Sequence, residues 1–305
     1  MLSFLALRLY KTEDVIVRKV VKYPKLERKN SFPFLSCDTY ALLSDHVIDS
    51  EGDLISLDIS SNNQILYING VILPELGDRI LEVFSNRKFY FNRIMIGDTD
   101  KPPCDTFLRE LGNHCDKILS VNIRHTQPRV LPLPLGLESQ RFRSAGQLRD
   151  FTKRPNLKLL HRRIGILLAW NDSTNRLERE SARMELRKSQ ISHEIVERVP
   201  ARYVHLLMRQ SLFVACPPGN GQDTHRFWEA LYLGAVPMIL EEHQIDAFKD
   251  WPHITLKNWN FLEFMKREEL ERLYLDKVAE LSNFRYSTKL FLRSISGDFE
   301  DRIRK

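Results

Sequence analysis

Between Ser211 and Leu240 the chain runs SLFVACPPGNGQDTHRFWEALYLGAVPMIL. Its patterning predicts a strand over Ser211–Cys216, a loop over Pro217–Gln222, a helix over Asp223–Leu233 and a strand over Ala235–Leu240. Gly219 and Gly221 let the loop turn sharply and approach a ligand closely. Asp223 or Thr224 can cap the helix. The free N–H groups and positive dipole end of that helix then face the loop, together with Pro218 and Asn220, which makes an anion site. Arg226 sits in the first turn, where a cation opposes the dipole and an anionic ligand would offset the cost. Glu229 lies three residues on, on the same side of the helix. It can accept hydrogen bonds from a ribose diol or pair with Arg226. The loop is neither GxGxxG nor GxxxxGKS, so it supports neither a dinucleotide fingerprint nor a P-loop.

The elements that must position this loop alternate between apolar runs and amphipathic stretches, as in an α/β protein with a largely parallel sheet. The first half predicts strands over Asp53–Ile59, Phe89–Ile96, Lys117–Val121 and Val130–Leu135, with helices from Pro74 and over Pro103–Leu111. The second half predicts a strand over Ile164–Trp170, a polar turn over Asn171–Asn175, a charged helix over Arg176–Lys188 and a helix over Pro200–Gln210. A helical tail carries Leu270, Leu273, Leu281 and Phe284 on one face. Residues 141–163 are polar and basic with Pro155 inside, and read as a linker. The expected division is 1–140, linker 141–163, 164–265 and a tail over 266–305.

The 305 residues are 43% hydrophobic and 28% charged, with a mean hydropathy of −0.34, which excludes a wholly disordered chain. No apolar run approaches the ~20 residues of a membrane helix. Met1–Leu7 is short and is followed by Arg8 and Lys11, so neither signal peptide nor anchor is expected, and the expected location is cytoplasmic. The net charge of +6 and pI near 9.1 suit a polyanionic partner without choosing one. The densest basic set, Lys19, Lys22, Lys25, Arg28 and Lys29, reads as a solvated face, and no recognised nucleic-acid motif accompanies it. Cys37, Cys104, Cys115 and Cys216 have the look of reduced thiols, and His114-Cys115 with Cys104 lacks zinc spacing.

The Ser211–Leu240 segment resembles the donor-binding region of the exostosin-like glycosyltransferases. The resemblance rests on Ser211-Leu212-Phe213, Pro218-Gly219, Arg226-Phe227-Trp228-Glu229-Ala230-Leu231 and Val236-Pro237-Met238. Weaker likeness extends to Ile164–Trp170 with Arg176, Arg179 and Arg183, to Leu133–Glu138, and to Gly97-Asp98-Thr99-Asp100. The resemblance implies a GT-B arrangement of two Rossmann-like lobes, with a nucleotide-sugar cleft between them and the donor mostly on the C-terminal lobe. It implies an inverting transfer from a UDP-sugar to a carbohydrate hydroxyl, with no metal and no cofactor beyond the donor. Other nucleotide-ligand enzymes on this scaffold, such as a hydrolase or epimerase, and a non-catalytic nucleic-acid or carbohydrate-binding protein are the competing expectations.

Such a transfer needs a stabilised diphosphate and a base. Arg226, the N–H groups of Gly219–Gln222 and Arg176 are the candidates for the diphosphate; Thr224 and His225 line the same pocket. Arg179 and Arg183 fit a solvated helix face better. The base is expected on the opposing lobe, with Asp100 first, Asp98 second and Asp45-His46 third. Phe227 and Trp228 read as core.

Overall fold

The structure, a computed structural model, describes residues 28–59, 61, 63–141, 148–195 and 199–297. It contains two five-stranded sheets, each parallel throughout.

The first sheet holds β1 (His46–Ile48), β2 (Ile65–Asn69), β3 (Phe91–Gly97), β4 (Cys115–Ser120) and β5 (Val130–Pro132), in that spatial order. Its helices are α1 (Cys37–Leu42), α2 (Glu51–Ile55), α3 (Leu73–Arg87) and α4 (Asp105–Leu111). Side chains alternate across a strand. Leu66, Ile68, Ile94, Ile96 and Ile118 accordingly share one core with Ile80 and Phe84 of α3 and Phe107 of α4. Tyr67, Met95 and Leu119 point the other way, into a core with Phe34, Leu35 and Tyr40 that continues into the second sheet. The steady strand order follows from right-handed crossovers all stepping one way, which puts α3 and α4 on one face.

A short helix, α5 (Arg149–Thr152), leads from the first sheet to the second. The second unit comprises β6 (Ile164–Leu168), α6 (Arg176–Leu186), β7 (Ser192–Glu194), α7 (Ala201–Met208), β8 (Ser211–Ala215), α8 (His225–Leu233), β9 (Val236–Leu240), β10 (Ile254–Leu256) and α9 (Arg267–Ser296). Its strand order is β10-β9-β8-β6-β7. Strands β8 and β9 are buried at every residue, as central parallel strands must be. From β6 the chain steps outward to β7 and then back past β6 to β8. Loops after β6 and β8 therefore diverge, and a crevice opens outside the carboxyl ends of these two strands.

Several segments depart from expectation. Asp53–Ile59 is no strand: Ser50 caps a helix there, accepting from Asp53 N, and its hydroxyl donates to Asp53 Oδ2 at 2.7 Å. That local capping outweighs the Ile and Leu content, and the strand is Ile65–Asn69 instead. The described part of the region read as linker, 148–163, carries buried residues. Phe151 is buried, and Arg162 is fully buried, donating to the carbonyls of Asn156, Met208, Ser211 and Leu233. Arg28 is not on a solvated face but pairs with Asp38, Asp49 and Asp98, while Lys19, Lys22 and Lys25 lie outside the described residues. The tail forms α9, which packs on the second unit and reaches the first, where Arg93 donates to the Ser294 carbonyl at 2.7 Å. All four cysteines are free thiols, and Cys104 alone of them is exposed. Among the described residues no helix is long and apolar enough to cross a membrane.

Candidate functional site

The crevice between β6 and β8 is where the glycine loop lies. Arg179, on the first turn of α6, is buried beneath it. Its Nε donates to the Pro218 carbonyl at 2.9 Å, and its Nη1 donates to the Asn171 carbonyl at 2.6 Å and to Thr174 Oγ1. A Cβ at Gly219 would come within 2.8 Å of the Arg179 guanidinium, so glycine is what lets the loop rest on it. Burial and the neighbouring Arg226 charge lower the Arg179 pKa to about 10, so it remains a cation at neutral pH. Asn175 Nδ2 donates to the Gly219 carbonyl at 3.2 Å and closes the same corner.

The arginines of α6 fall in a different order from the one expected. Arg176 is exposed and pairs with Glu180 along the helix. It does not meet the loop. Arg183 is spent on Asp172, Glu194 and the Trp170 carbonyl. Nothing in the spacing of the charged helix singles out Arg179 over Arg176; the Pro218 carbonyl does.

Helix α8 begins at the loop. Thr224 is its N-cap residue, but its side chain makes no capping bond. Asp223 does not cap in the expected way either. Its Oδ1 accepts from Trp228 Nε1 at 2.7 Å and its Oδ2 from Leu135 N, in the first unit, at 2.8 Å. Burial raises its pKa to about 7 against the pull of those bonds. The amide of Gly219 is consumed within the loop by the Gly221 carbonyl at 3.0 Å. Gln222 Oε1 is buried without a hydrogen-bond partner among the described residues. Phe227 and Trp228 are fully buried, stacked and edge-packed on Phe248 and Trp251.

Arg226 and Glu229 meet each other: Arg226 Nη1 is 2.5 Å from Glu229 Oε2. The other oxygen of Glu229 lies 3.5 Å from His205 Nε2, and His205 Nδ1 is 3.0 Å from Asp150 Oδ2 in α5. Burial disfavours the Glu229 carboxylate, but Arg226 and His205 outweigh it and hold its pKa at about 2. His225 Nδ1 donates to the Gly136 carbonyl at 2.8 Å, and its Nε2 is 3.3 Å from Glu138 Oε2. Burial opposes protonation there, yet Glu138 and the carbonyl lift the pKa to about 10, so His225 carries a charge at the start of α8.

The loop after β3 faces the glycine loop from the other sheet. Asp100 is exposed, and its Oδ2 accepts from Asn220 Nδ2 at 3.0 Å. A Cβ at Gly221 would lie 2.6 Å from both Asn122 Oδ1 and the Asp100 carbonyl, so no larger residue fits between the two units. Asn122, at φ +59°, accepts from Asp223 N at 2.9 Å and donates to the Thr99 carbonyl at 2.8 Å. Asp98 behaves differently from Asp100. It is at φ +53° and accepts from Tyr67 at 2.7 Å, from Arg28 at 2.6 Å and from Arg141 at 2.7 Å. Burial works against its charge, but the two guanidinium groups outweigh this and keep its pKa below the ordinary value. A carboxylate so held is a poor proton acceptor. Asp45 and His46 both lie at the amino end of β1, bonded to Ile65 N and Gln64 at the amino end of β2, far along the strands from this loop.

Among the described residues, Glu178, Glu242 and His243 have ligand atoms within 4.8 Å of one another. A contact of 3.4 Å between His243 and Glu178 accounts for the group without an ion. His114 and Cys115 are bonded instead to the Phe89 and Leu111 carbonyls. No protein-family model matches the chain, and no curated protein matches it.

Proposed function

We propose that the chain is a glycosyltransferase of the GT-B type, moving a sugar from a UDP-sugar to a carbohydrate hydroxyl with inversion and without a metal. One observation carries this reading: a glycine loop, a helix N-terminus and the cations Arg179 and Arg226 converge at the crevice between β6 and β8, directly opposite the exposed carboxylate of Asp100. Parallel α/β sheets bind ligands at such crevices.

In this scheme the diphosphate sits over the loop. Arg226, the N-terminus of α8 and Arg179 beneath the loop stabilise the charge that grows as the sugar–phosphate bond breaks. Glu229 holds Arg226 in place, and His205 flanks the other oxygen of Glu229. Asp100 takes the proton of the acceptor hydroxyl as its oxygen attacks the anomeric carbon from the face opposite the diphosphate. Asn220 fixes the carboxylate while leaving its second oxygen for the acceptor.

A thermal-shift screen against nucleotides and UDP-sugars tests the proposal, because a ligand that binds the folded state raises its apparent stability. UDP and at least one UDP-sugar should raise the melting temperature equally with and without EDTA. No shift with any of them, or a shift abolished by EDTA and restored by manganese, overturns it.

A further inference from the structure

A cavity of about 230 Å³ lies at the far end of α8 from the glycine loop, lined in part by Phe34, Arg154, Tyr232, Arg285, Tyr286 and Lys289. Tyr232 follows Arg226 by six residues, about 9 Å along the helix. The cavity therefore belongs to neither the glycine loop nor the Asp100 loop. It is smaller than the ~300–1,000 Å³ typical of drug-sized ligands, so it suits a small molecule.

Its lining is one-sided in charge. Three cations border it and no acidic residue does. Arg285 is engaged in holding the fold together. Its guanidinium donates to the carbonyls of Phe151, Thr152 and Lys153 and lies over the rings of Phe34 and Tyr232. Arg154 and Lys289 hold nothing in this way, and among the described residues neither forms an ion pair or hydrogen bond. Arg209 adds a fourth charge nearby; it donates to the Asp150 and Lys153 carbonyls and has the Asp150 carboxylate as a counter-charge. A cluster of like charges around a concave site draws in an anion.

The remaining walls are the aromatic Phe34, Tyr232 and Tyr286 with Pro33 and Thr288. Phe34 and Tyr232 meet edge to face at 5.1 Å, and Tyr232 is pinned by the Leu35 amide at 2.8 Å. Tyr286 stands at the rim, 65% exposed. Phe34 and Tyr232 are buried, so the aromatic face open to a ligand ring is that of Tyr286.

We infer that this cavity is a second anion site, which takes a small aromatic phosphate with its ring against Tyr286 and its phosphate toward Arg154 and Lys289. Both cations are exposed at the surface, so changing them leaves the core intact.

Calorimetric titration of the full chain with phenyl phosphate tests this, with phenol and inorganic phosphate as comparators. Phenyl phosphate should bind one to one and at least tenfold more tightly than either comparator. The double variant Arg154→Ser/Lys289→Ser and, separately, Tyr286→Ala should each weaken it at least fivefold. Arg226→Met, at the glycine loop, should leave it unchanged. Binding that survives the double variant, binding lost with Arg226→Met, phenol binding as well as phenyl phosphate, or no binding at millimolar concentration each overturns the inference.

Discussion

Arg179 Nε donates to the carbonyl of Pro218 at 2.9 Å, so a helix that follows β6 supports the loop that follows β8. The crevice between the two strands is thereby bridged by a buried cation. Replacing it with methionine keeps the packing volume and removes the charge. We expect Arg179→Met to weaken UDP about 10- to 100-fold, since a hydrogen bond to a charged group contributes roughly 1.5–3 kcal/mol. Arg176→Met, at the exposed position three residues earlier, should leave UDP affinity within twofold. Isothermal titration of both variants checks the pair. Equal losses would show that the burial of Arg179 is incidental to binding.

Asp100 and Asp98 should part company on substitution. Asp100→Asn should keep the fold and UDP binding while turnover falls about 10²- to 10⁴-fold, the span of a general base. Asp98→Asn should instead destabilise the protein by about 3–5 kcal/mol, because it leaves Arg28 and Arg141 partly unpaired in a buried site. Urea midpoints and steady-state rates on both variants separate the roles. Near-normal turnover in Asp100→Asn would remove it as the base.

Glu229 gives the acid limb of stability a defined window. Its folded pKa, about 2, lies below the unfolded value of 4.5. A lowered carboxylate contributes stability that is present above the unfolded pKa and lost as pH falls through the folded one. We expect part of the fall in urea midpoint between pH 4.5 and 2 to vanish in Glu229→Gln, with a difference of about 3 kcal/mol at neutral pH. The same variant tests a sugar contact. If Glu229 also meets the ribose, UDP should lose more affinity than 2′-deoxy-UDP.

His225 sets the alkaline limb with the opposite sign. Its folded pKa, about 10, is raised above the usual 6.5 by Glu138 and the Gly136 carbonyl. Its contribution is therefore complete below about pH 6.5 and lost as pH rises through about 10. His225→Gln should be less stable than the parent at pH 6 and should show a flatter loss of melting temperature between pH 7 and 10. An NMR titration placing the His225 imidazole near its ordinary pKa would contradict the ion pair with Glu138.

Much of the architecture was legible in the sequence because it depends on local periodicity. The strands at Phe91–Gly97, Ile164–Leu168 and Ser211–Ala215 and the helices at Leu73–Arg87 and Arg176–Leu186 follow directly from apolar spacing. Short edge strands such as Ser192–Glu194 carry too few residues to show a period. Asp53–Ile59 misled because one capping serine decided the segment. The site was harder. Arg179 and Arg176 are equivalent as letters on a charged helix, and only the position of the Pro218 carbonyl distinguishes them. Asp98 and Asp100 share one loop, and their difference comes from Arg28, 70 residues away in the chain. The Asn122–Asp223 and Leu135–Asp223 contacts join segments about a hundred and about ninety residues apart, beyond the reach of any local pattern.

Helix α9 acts on the cleft as a splint. Its 30 residues span about 45 Å. At one end Arg267 grips the Arg163 carbonyl and Tyr274 the Gly234 carbonyl, both in the second unit. At the other, the exposed bond from Arg93 ties Ser294 to β3 of the first. The glycine loop and the Asp100 loop cannot simply slide apart to admit a bulky ligand while both ends hold. The tether adds to bonds that cross between the units directly, among them Leu135 N to Asp223 and Thr126 N to Asp246. The spacing of the two loops is therefore set in part at Arg93, in the central strand of the first sheet, at a residue that touches neither loop.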